Sequence, residues 1–407
     1  MIDGAARQLL EAEGWMPPPA DQLPTGNELV DGYVAPLARH RAIAPHVRYN
    51  ARVVAVGRKD FDKVRTKGRE QQPFEIRLAN GEAIEARAVI DATGTWSRPN
   101  PAGSGGIAAA GESRFADRIA YGIPDVLGVA RSRYAGRRVL VVGSGHSAFN
   151  VILDLLMLAE DAPRTRIVWA MRRDTLDSLW GGGPADALEA RGELGQRARG
   201  AVESGRVRVV TPYRIRNITE AGGGVSVTGT IRHEEVTLDV DQVIVCTGFR
   251  PDLEMLGEVR LGLDSWLECP VALAPLIDPN EHSCGTVRPH GARELAHPEK
   301  DFYIVGMKSY GRAPTFLLAT GYEQARSVVA MLSGDVAAAE RVELVLPETG
   351  VCSTDLGTGV SSCCGGPAPA EVDACCNDDA AAKAAGRSGC GCTAEPIAVS
   401  SLRRSSP

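Results

Sequence analysis

The feature that most constrains the fold of this chain is a strand, a glycine turn and a helix that follow one another directly in RRVLVVGSGHSAFNVILDLLMLAEDA. Arg138–Val142 is predicted to be a buried strand, and Gly143, Gly145 and Ala148 occupy the three positions of a GxGxxA turn. Apolar residues then recur at Ala148, Val151, Ile152, Leu155 and Ala159. This helical spacing predicts a helix packed on a sheet, and therefore an α/β unit.

Each small residue of this turn has a physical role. Gly143 makes the turn tight, Gly145 lets the backbone approach a pyrophosphate, and Ala148 lets the helix lie close to the strand. The helix N-terminus supplies unpaired N–H groups and the positive end of a dipole. The predicted diphosphate site comprises Gly143, Ser144, Gly145, His146, Ser147 and Ala148.

The next predicted strand, RIVWAMRR, ends where an NAD site would place an acidic residue for the ribose hydroxyls. This chain places Arg172 and Arg173 there, and two guanidinium groups suit the 2′-phosphate of NADP. We therefore predict NADPH as a cofactor. An ordinary glycine turn with solvated arginines is the alternative that stays open.

A hydrolase nucleophile elbow is a competing interpretation of Gly145-His146-Ser147-Ala148, because GxSxG also lies on a strand-to-helix turn. Two features oppose it. The fifth position is Phe149 instead of glycine, and Gly143 would interrupt the strand two residues too early.

Length and charge bound the remaining possibilities. The chain has 407 residues, enough for two or three domains, and a net charge of -6. Nothing in it forms the basic field that nucleic acid or an anionic membrane requires. No apolar run approaches the ~18 residues of a membrane span, and the opening MIDGAARQLL lacks the pattern of a signal peptide. We therefore expect a soluble, cytoplasmic protein that binds neither nucleic acid nor a membrane.

Weaker patterns predict the other elements. Residues 2–13 have the apolar stripe of a helix, and a second helix is predicted from Thr320 to Leu332, closed by Gly334. The strands FEIRL and AIEARAVIDATG flank an Asn80-Gly81 turn, which predicts a β-hairpin with one covered face.

Three segments together carry a resemblance to a known family. They are the GSGHSA turn, DATGTWSRPNP with Thr93 and Gly94, and CTGFRPDL with Thr247 and Gly248. They resemble the NADPH motif and the two interdomain crossings of flavin-containing and Baeyer–Villiger-type monooxygenases. This resemblance implies two Rossmann-like dinucleotide-binding domains, one for FAD and one for NADPH, with the four crossing residues near a cofactor.

A fourth segment, FYIVGMKSYGRAPTFLLATGYEQARSVVAML, resembles the last flavin-binding element of that family. Many relatives carry Asp directly after its glycine, whereas Met307 follows Gly306 here. The resemblance covers residues 1–345 and implies three parts, and the composition of the remaining residues adds a fourth. They are a first FAD part at 1–130, an NADPH domain at 131–247, a returning FAD part at 248–346 and a tail at 347–407.

The chain departs from the family at its beginning. The family opens with a strand, a GxGxxG turn and a helix for the ADP half of FAD, and nothing before Trp15 has this pattern. We expect a truncated gene model, because a sheet without its first strand would expose an edge and apolar surface.

The resemblance also implies a reaction in which NADPH reduces FAD and one oxygen atom passes to a soft nucleophile, a carbonyl or an arsenical. No catalytic residue is predicted, because the cofactor performs the hard chemistry. Disulfide reductases share the layout but need a cysteine pair beside the flavin, and residues 1–345 contain none. Cys246 is predicted to be a core residue. His282, Cys284, His290 and His297 could bind a metal or line the cleft.

The tail is predicted to be disordered, because it has few large apolar side chains. Its cysteine pairs are Cys363-Cys364, Cys375-Cys376 and Cys390 with Cys392. Adjacent Cα atoms lie ~3.8 Å apart, below the ~4.4 Å of ordinary disulfides, so adjacent thiols stay available to soft ions. These pairs resemble those of arsenic-resistance proteins, which implies trivalent arsenic or antimony as ligand, with zinc or copper(I) next. The alternatives are a tail without a role, a metalloid-binding protein, and an NADPH-dependent metalloid reductase.

Overall fold

The computed structural model describes residues 2–19, 24–176, 179–180, 189–282 and 287–344. In chain order its strands are β1 (Val53–Arg58), β2 (Phe74–Leu78), β3 (Ala83–Ala86), β4 (Val89–Asp91), β5 (Ile119–Tyr121), β6 (Arg138–Val142), β7 (Arg166–Ala170), β8 (Val207–Val210), β9 (Arg214–Ala221), β10 (Gly224–Ile231), β11 (Glu234–Val240), β12 (Gln242–Val245) and β13 (Phe302–Ile304). The α-helices are α1 (Gly4–Glu11), α2 (Gly26–Leu29), α3 (Ala35–Arg39), α4 (Arg131–Tyr134), α5 (His146–Asp161), α6 (Glu189–Glu203), α7 (Ala274–Ile277), α8 (Leu318–Ser333) and α9 (Val336–Glu340). A π-helical turn, Val30–Val34, joins α2 to α3.

The predicted dinucleotide segment lies at the centre of a parallel sheet with the strand order β5-β12-β6-β7-β8. Strand β6 and the helix after the turn begin where the sequence predicts them. Val139, Leu140 and Val141 of β6 are completely buried because the sheet is covered on both faces. The covering face of α5 is apolar as predicted, with Ile152 and Leu155 also completely buried. Burying each such side chain contributes about 1.5–3 kcal/mol.

The other sheets confirm one sequence prediction and correct another. β2 and β3 form the predicted antiparallel hairpin across Asn80-Gly81, with Gly81 at φ +88°. The prediction of one continuous strand through AIEARAVIDATG was wrong. The chain leaves the hairpin after Ala86, and β4 pairs instead in parallel with β13. A distant strand therefore competes successfully for the residues that local alternation assigned to the hairpin.

Two predicted helices are present. α1 begins after Asp3, whose carboxylate accepts the amides of Ala5 and Ala6, so it is shorter than the predicted 2–13. α8 matches the second predicted helix and ends at Gly334, which has φ +90°. Glycine suits this left-handed position because it has no Cβ.

The fold class predicted from the sequence is confirmed as α/β with parallel, Rossmann-like sheet topology. The domain boundaries stay predictions, although β5 joins the five-stranded sheet upstream of residue 131. Within the described ranges no helix has both the length and the apolar character needed to cross a membrane. A cytoplasmic location remains a sequence prediction, and so does disorder of the tail, which lies outside the described residues.

Candidate functional site

Gly143 begins the turn at the carboxyl end of β6, where only glycine fits. Its φ is +128°, and a Cβ atom there would lie 2.3 Å from the carbonyl oxygen of Cys246. Its N–H donates to the Ala170 carbonyl at 3.0 Å, and its own carbonyl accepts from Trp169 Nε1 at 2.7 Å. The neighbouring strands β7 and β12 therefore fix the conformation of the turn.

Gly145 ends the turn, and the space beside it is open. A Cβ atom at this position would meet no other atom within 4 Å, and the residue is exposed. Gly145 caps the 16-residue helix α5 without a side-chain hydrogen bond. A helix N-terminus left in this state attracts anions through its N–H groups and its dipole. The turn therefore fits the diphosphate of a dinucleotide.

The two arginines after β7 lie in different surroundings. Arg173 is half-buried, and its Nε lies 3.3 Å from Ser144 Oγ in the turn. Arg172 is exposed and donates to the carbonyl of Ser104 at 2.7 Å. The structure thus brings Arg173 to the predicted diphosphate site and directs Arg172 to a neighbouring cleft.

This neighbouring cleft, here named the arginine cleft, has a volume of about 390 Å³. It is lined by Ser104, Gly105, Arg172, Arg214, Ile215 and Arg216. Sequence reasoning missed Arg214 and Arg216, because no local pattern shows that β9 returns to Arg172. Three guanidinium groups make this cleft strongly cationic.

Glu112 fixes the loop that forms one wall of the arginine cleft. Its buried carboxylate accepts the amides of Ala102 at 2.8 Å, Gly103 at 3.3 Å and Ala109 at 2.7 Å. It also accepts the hydroxyl of Tyr121 at 2.6 Å. Burial first, and this hydrogen bond second, raise the pKa of Tyr121 well above its usual range. No sequence pattern indicates this role of Glu112.

The two predicted crossings lie side by side. Asn100 joins them, because its N–H donates to the Gly248 carbonyl at 2.9 Å and its Nδ2 to the Thr247 carbonyl at 3.1 Å. Thr247 Oγ1 donates in return to the Asn100 carbonyl at 2.9 Å. The predicted residues Thr247 and Gly248 are therefore tied to the segment that follows Thr93 and Gly94.

A buried ion pair joins the predicted segment at Thr93 and Gly94 to the predicted segment at Gly306 and Met307. Lys308 Nζ lies 2.6 Å from Asp91 Oδ2, with side-chain exposures of 0% and 2%. Lys308 also donates to Thr93 Oγ1 at 3.0 Å, and that hydroxyl donates to Asp91 Oδ1 at 2.7 Å. The ends of β4 and β13 are therefore locked together next to Gly94 and Gly306.

Gly306 is held from its other side by Gln324. Its N–H donates to Gln324 Oε1 at 2.7 Å, and the amide nitrogen of Gln324 contacts Ser309 Oγ and His290 Nε2. His290 Nδ1 lies 3.0 Å from the carbonyl of Arg288, so it carries the proton and Nε2 accepts. Burial lowers the pKa of His290, which favours this neutral form.

The described residues fit the two cofactors to different degrees. One strand–GxGxxA–helix unit is present in the described ranges, and it suits a nicotinamide dinucleotide. At the carboxyl ends of β4 and β13, Gly94 and Gly306 have positive φ, a Cβ at Gly306 would meet no atom within 4 Å, and Met307 is 47% exposed. Gly306 is therefore open to an approaching group, whereas the described residues contain no second glycine unit for the ADP half of FAD.

The body cysteines and histidines form no metal site among the described residues. Cys246 donates to the Gly122 carbonyl, and burial raises the pKa values of Cys246 and Cys269 to about 12. Cys246 is thus a core residue, as predicted. His282 contacts the Pro275 carbonyl, whereas His297 is held by the Gly262 amide. Cys284 and the predicted tail ligands Cys363, Cys364, Cys375, Cys376, Cys390 and Cys392 lie outside the described residues.

Known proteins resemble this chain over most of its body. A model described as pyridine nucleotide-disulphide oxidoreductase matches residues 38–271. A ferredoxin–NADP reductase from Thermus thermophilus is 29% identical over 231 residues, which are 56% of this chain and 61% of that relative's length. The bacillithiol disulfide reductase of Staphylococcus aureus has a similar fold, with a TM-score of 0.53, 16% identity and coverage of 78% of this chain and 80% of that chain. An FAD-bound cadaverine monooxygenase from Erwinia amylovora also has a similar fold, with a TM-score of 0.51 and 13% identity. That match covers 79% of this chain and 77% of the monooxygenase chain.

Proposed function

Because this chain belongs to the pyridine nucleotide-disulphide oxidoreductase family, whose cofactors are FAD and NAD(P), we propose that it is an NADPH-dependent flavin monooxygenase. FAD, when bound, would supply the redox chemistry between NADPH and oxygen. The substrate is a soft nucleophile, a carbonyl compound or an arsenical. The chain matches 61% of the Thermus reductase's length, so that protein's activity is not transferred to it.

The observation that carries this proposal is the open glycine turn with Arg173 at Ser144. The amides at the start of α5 bind the diphosphate, and Gly145 keeps the approach free of a side chain. Strand β7 holds the turn through Ala170 and Trp169, so the amides are oriented before the ligand arrives. A site that needs no rearrangement loses less free energy on binding.

The surroundings of the cysteines support oxygen, in preference to a disulfide, as the electron acceptor. A thiolate is the reactive form of cysteine, and burial holds Cys246 and Cys269 in the thiol form by raising their pKa values to about 12. Neither cysteine has a disulfide partner in the described part of the body. Electrons delivered by a bound flavin would therefore find no thiol pair to reduce among the described residues.

The test follows NADPH oxidation, oxygen consumption and product formation together, using the full chain supplied with FAD. A thioether, a ketone and a trivalent arsenical represent the three substrate classes. We expect one oxygen molecule consumed per NADPH and an oxygenated product with one of them. NADPH oxidation without oxygen uptake, or with a ferredoxin as the required acceptor, contradicts the proposal.

A second candidate function rests on the seven cysteines between Cys352 and Cys392. In it the tail binds trivalent arsenic or antimony, or passes electrons from the flavin to a metalloid. Serine substitutions at Cys363, Cys364, Cys375 and Cys376 would abolish such reduction and spare oxygenation of an organic substrate. A colourless protein that binds arsenite would favour metalloid binding over both redox activities.

A further inference from the structure

The arginine cleft lies beside the nucleotide turn, and no sequence motif pointed to two of its three arginines. We propose that this cleft binds the 2′-phosphate of NADPH and that Arg214 and Arg216 determine the preference for NADPH over NADH. The inference rests on the proposed NADPH site and goes beyond it. It assigns the phosphate to a strand outside the five-stranded sheet, and leaves Arg173 to the diphosphate turn.

The cleft has the right position in the sheet. Arg172 follows the carboxyl end of β7 by two residues, and Arg214 follows the carboxyl end of β8 by four. Ligands of such sheets bind in the crevice outside the carboxyl ends of the strands. Consecutive Cα atoms are ~3.8 Å apart, so Arg172 in the cleft directly adjoins Arg173 at the turn. An adenosine that leaves the turn along β7 therefore reaches the cleft.

None of the described groups neutralises the charges of the cleft. Its described lining residues include no carboxylate. Among the residues described, no acidic side chain forms an ion pair with Arg172, Arg214 or Arg216, in contrast to Arg138, which pairs with Asp241 at 3.1 Å. Three nearby positive charges repel one another, and a dianionic phosphate would remove that repulsion. Guanidinium groups also match phosphate oxygens geometrically.

The cleft is held in shape before any ligand binds. The Ser104 amide and hydroxyl both donate to the Ile215 carbonyl, at 3.2 and 3.1 Å, which joins the loop to β9. Glu112 fixes the same loop through Ala102, Gly103 and Ala109. A phosphate entering the cleft therefore meets walls that are already in place, and little ordering entropy is lost.

The test measures dissociation constants of the full chain for NADPH, NADH, 2′,5′-ADP and 5′-AMP by calorimetry. The test variant is Arg214→Gln with Arg216→Gln, and the matched control is Arg208→Gln, an exposed arginine on β8. We expect the double variant to bind NADPH and 2′,5′-ADP at least tenfold more weakly, because charge-assisted hydrogen bonds are lost. Its affinities for NADH and 5′-AMP should stay unchanged, as should every affinity of the control.

Three results would overturn the inference and leave the proposed function intact. The double variant could retain its affinity for 2′,5′-ADP, or lose affinity for NADPH and NADH equally. Inorganic phosphate could also bind in the cleft without competing with 2′,5′-ADP. If the unmodified chain binds neither NADPH nor NADH, the proposed function itself is wrong. Thermal unfolding of each variant verifies that the exposed substitutions leave the fold intact.

Discussion

The β4–β13 pair adds buried charges to an apolar core, whereas the five-stranded sheet is stabilised by apolar packing. The sheet packs apolar side chains, and Leu140, Ile152 and Leu155 are completely buried. The strand pair is joined by the buried Lys308–Asp91 ion pair. Near its beginning, the Glu299 carboxylate pairs with two arginines whose side chains are 2% exposed. Apolar packing weakens gradually when one group is lost, whereas a buried charge without its partner is strongly destabilising.

The largest expected effect comes from breaking the Lys308–Asp91 pair. Lys308→Met leaves the Asp91 carboxylate buried without its cation, which should lower the free energy of unfolding by about 3–5 kcal/mol. Adding Asp91→Asn removes the remaining charge and keeps an oxygen for the Thr93 hydrogen bonds, so the double variant should recover part of the loss. Urea unfolding measures both. A double variant less stable than Lys308→Met would refute this account.

Truncating a side chain of the apolar core should lower the free energy of unfolding somewhat less. Leu155→Ala opens a cavity between α5 and the sheet and should lower the free energy of unfolding by about 3 kcal/mol. Met157→Ala on the exposed side of the same helix is the control and should change it by less than about 0.5 kcal/mol. Equal losses in the two variants would mean that this face of α5 is not the packed one.

Acid should weaken the chain through two histidines, the buried His290 and the half-buried His297. Burial lowers the pKa of His297 to about 4, and burial also lowers the pKa of His290. In the unfolded chain both histidines bind a proton near pH 6.5. Their contribution to the free energy of unfolding is therefore fully present above that pH and is lost as the pH drops towards 4. His297 alone should remove roughly 2 kcal/mol between pH 7 and pH 5. His297→Gln, compared with the exposed His46→Gln, should flatten this dependence; an unchanged profile would contradict it.

The smallest effect on stability is expected at Gly145. Because a Cβ atom meets nothing there, Gly145→Ala should leave the free energy of unfolding nearly unchanged. The methyl group would occupy the approach of the diphosphate, so affinity for NADPH should fall about tenfold, or about 1.4 kcal/mol. Gly143→Ala is the informative counterpart, since it must also destabilise the fold by contact with Cys246. Unaltered NADPH affinity in the Gly145 variant would mean that the diphosphate binds elsewhere.

The same contrast explains what the sequence could predict. The strand, turn and helix of the nucleotide unit are consecutive, so local spacing determined their positions to within a residue. The β4–β13 pair unites Val89 with Phe302, and no local pattern reveals such a partner. Lysine is usually a surface residue, and Lys308 is buried because β13 brings it against Asp91. Arg214 and Arg216 likewise join Arg172 only through the strand order and the return of β9.

The hydrogen bonds of Asn100 have a mechanical consequence for the two crossings. The Arg98 carbonyl accepts from the amide of Arg250 at 3.0 Å, and Asn100 bonds to both Thr247 and Gly248, so the two segments form a short antiparallel ribbon. Any twist of this ribbon would involve both segments together. Separate bending of either chain would first have to break bonds that the other one makes.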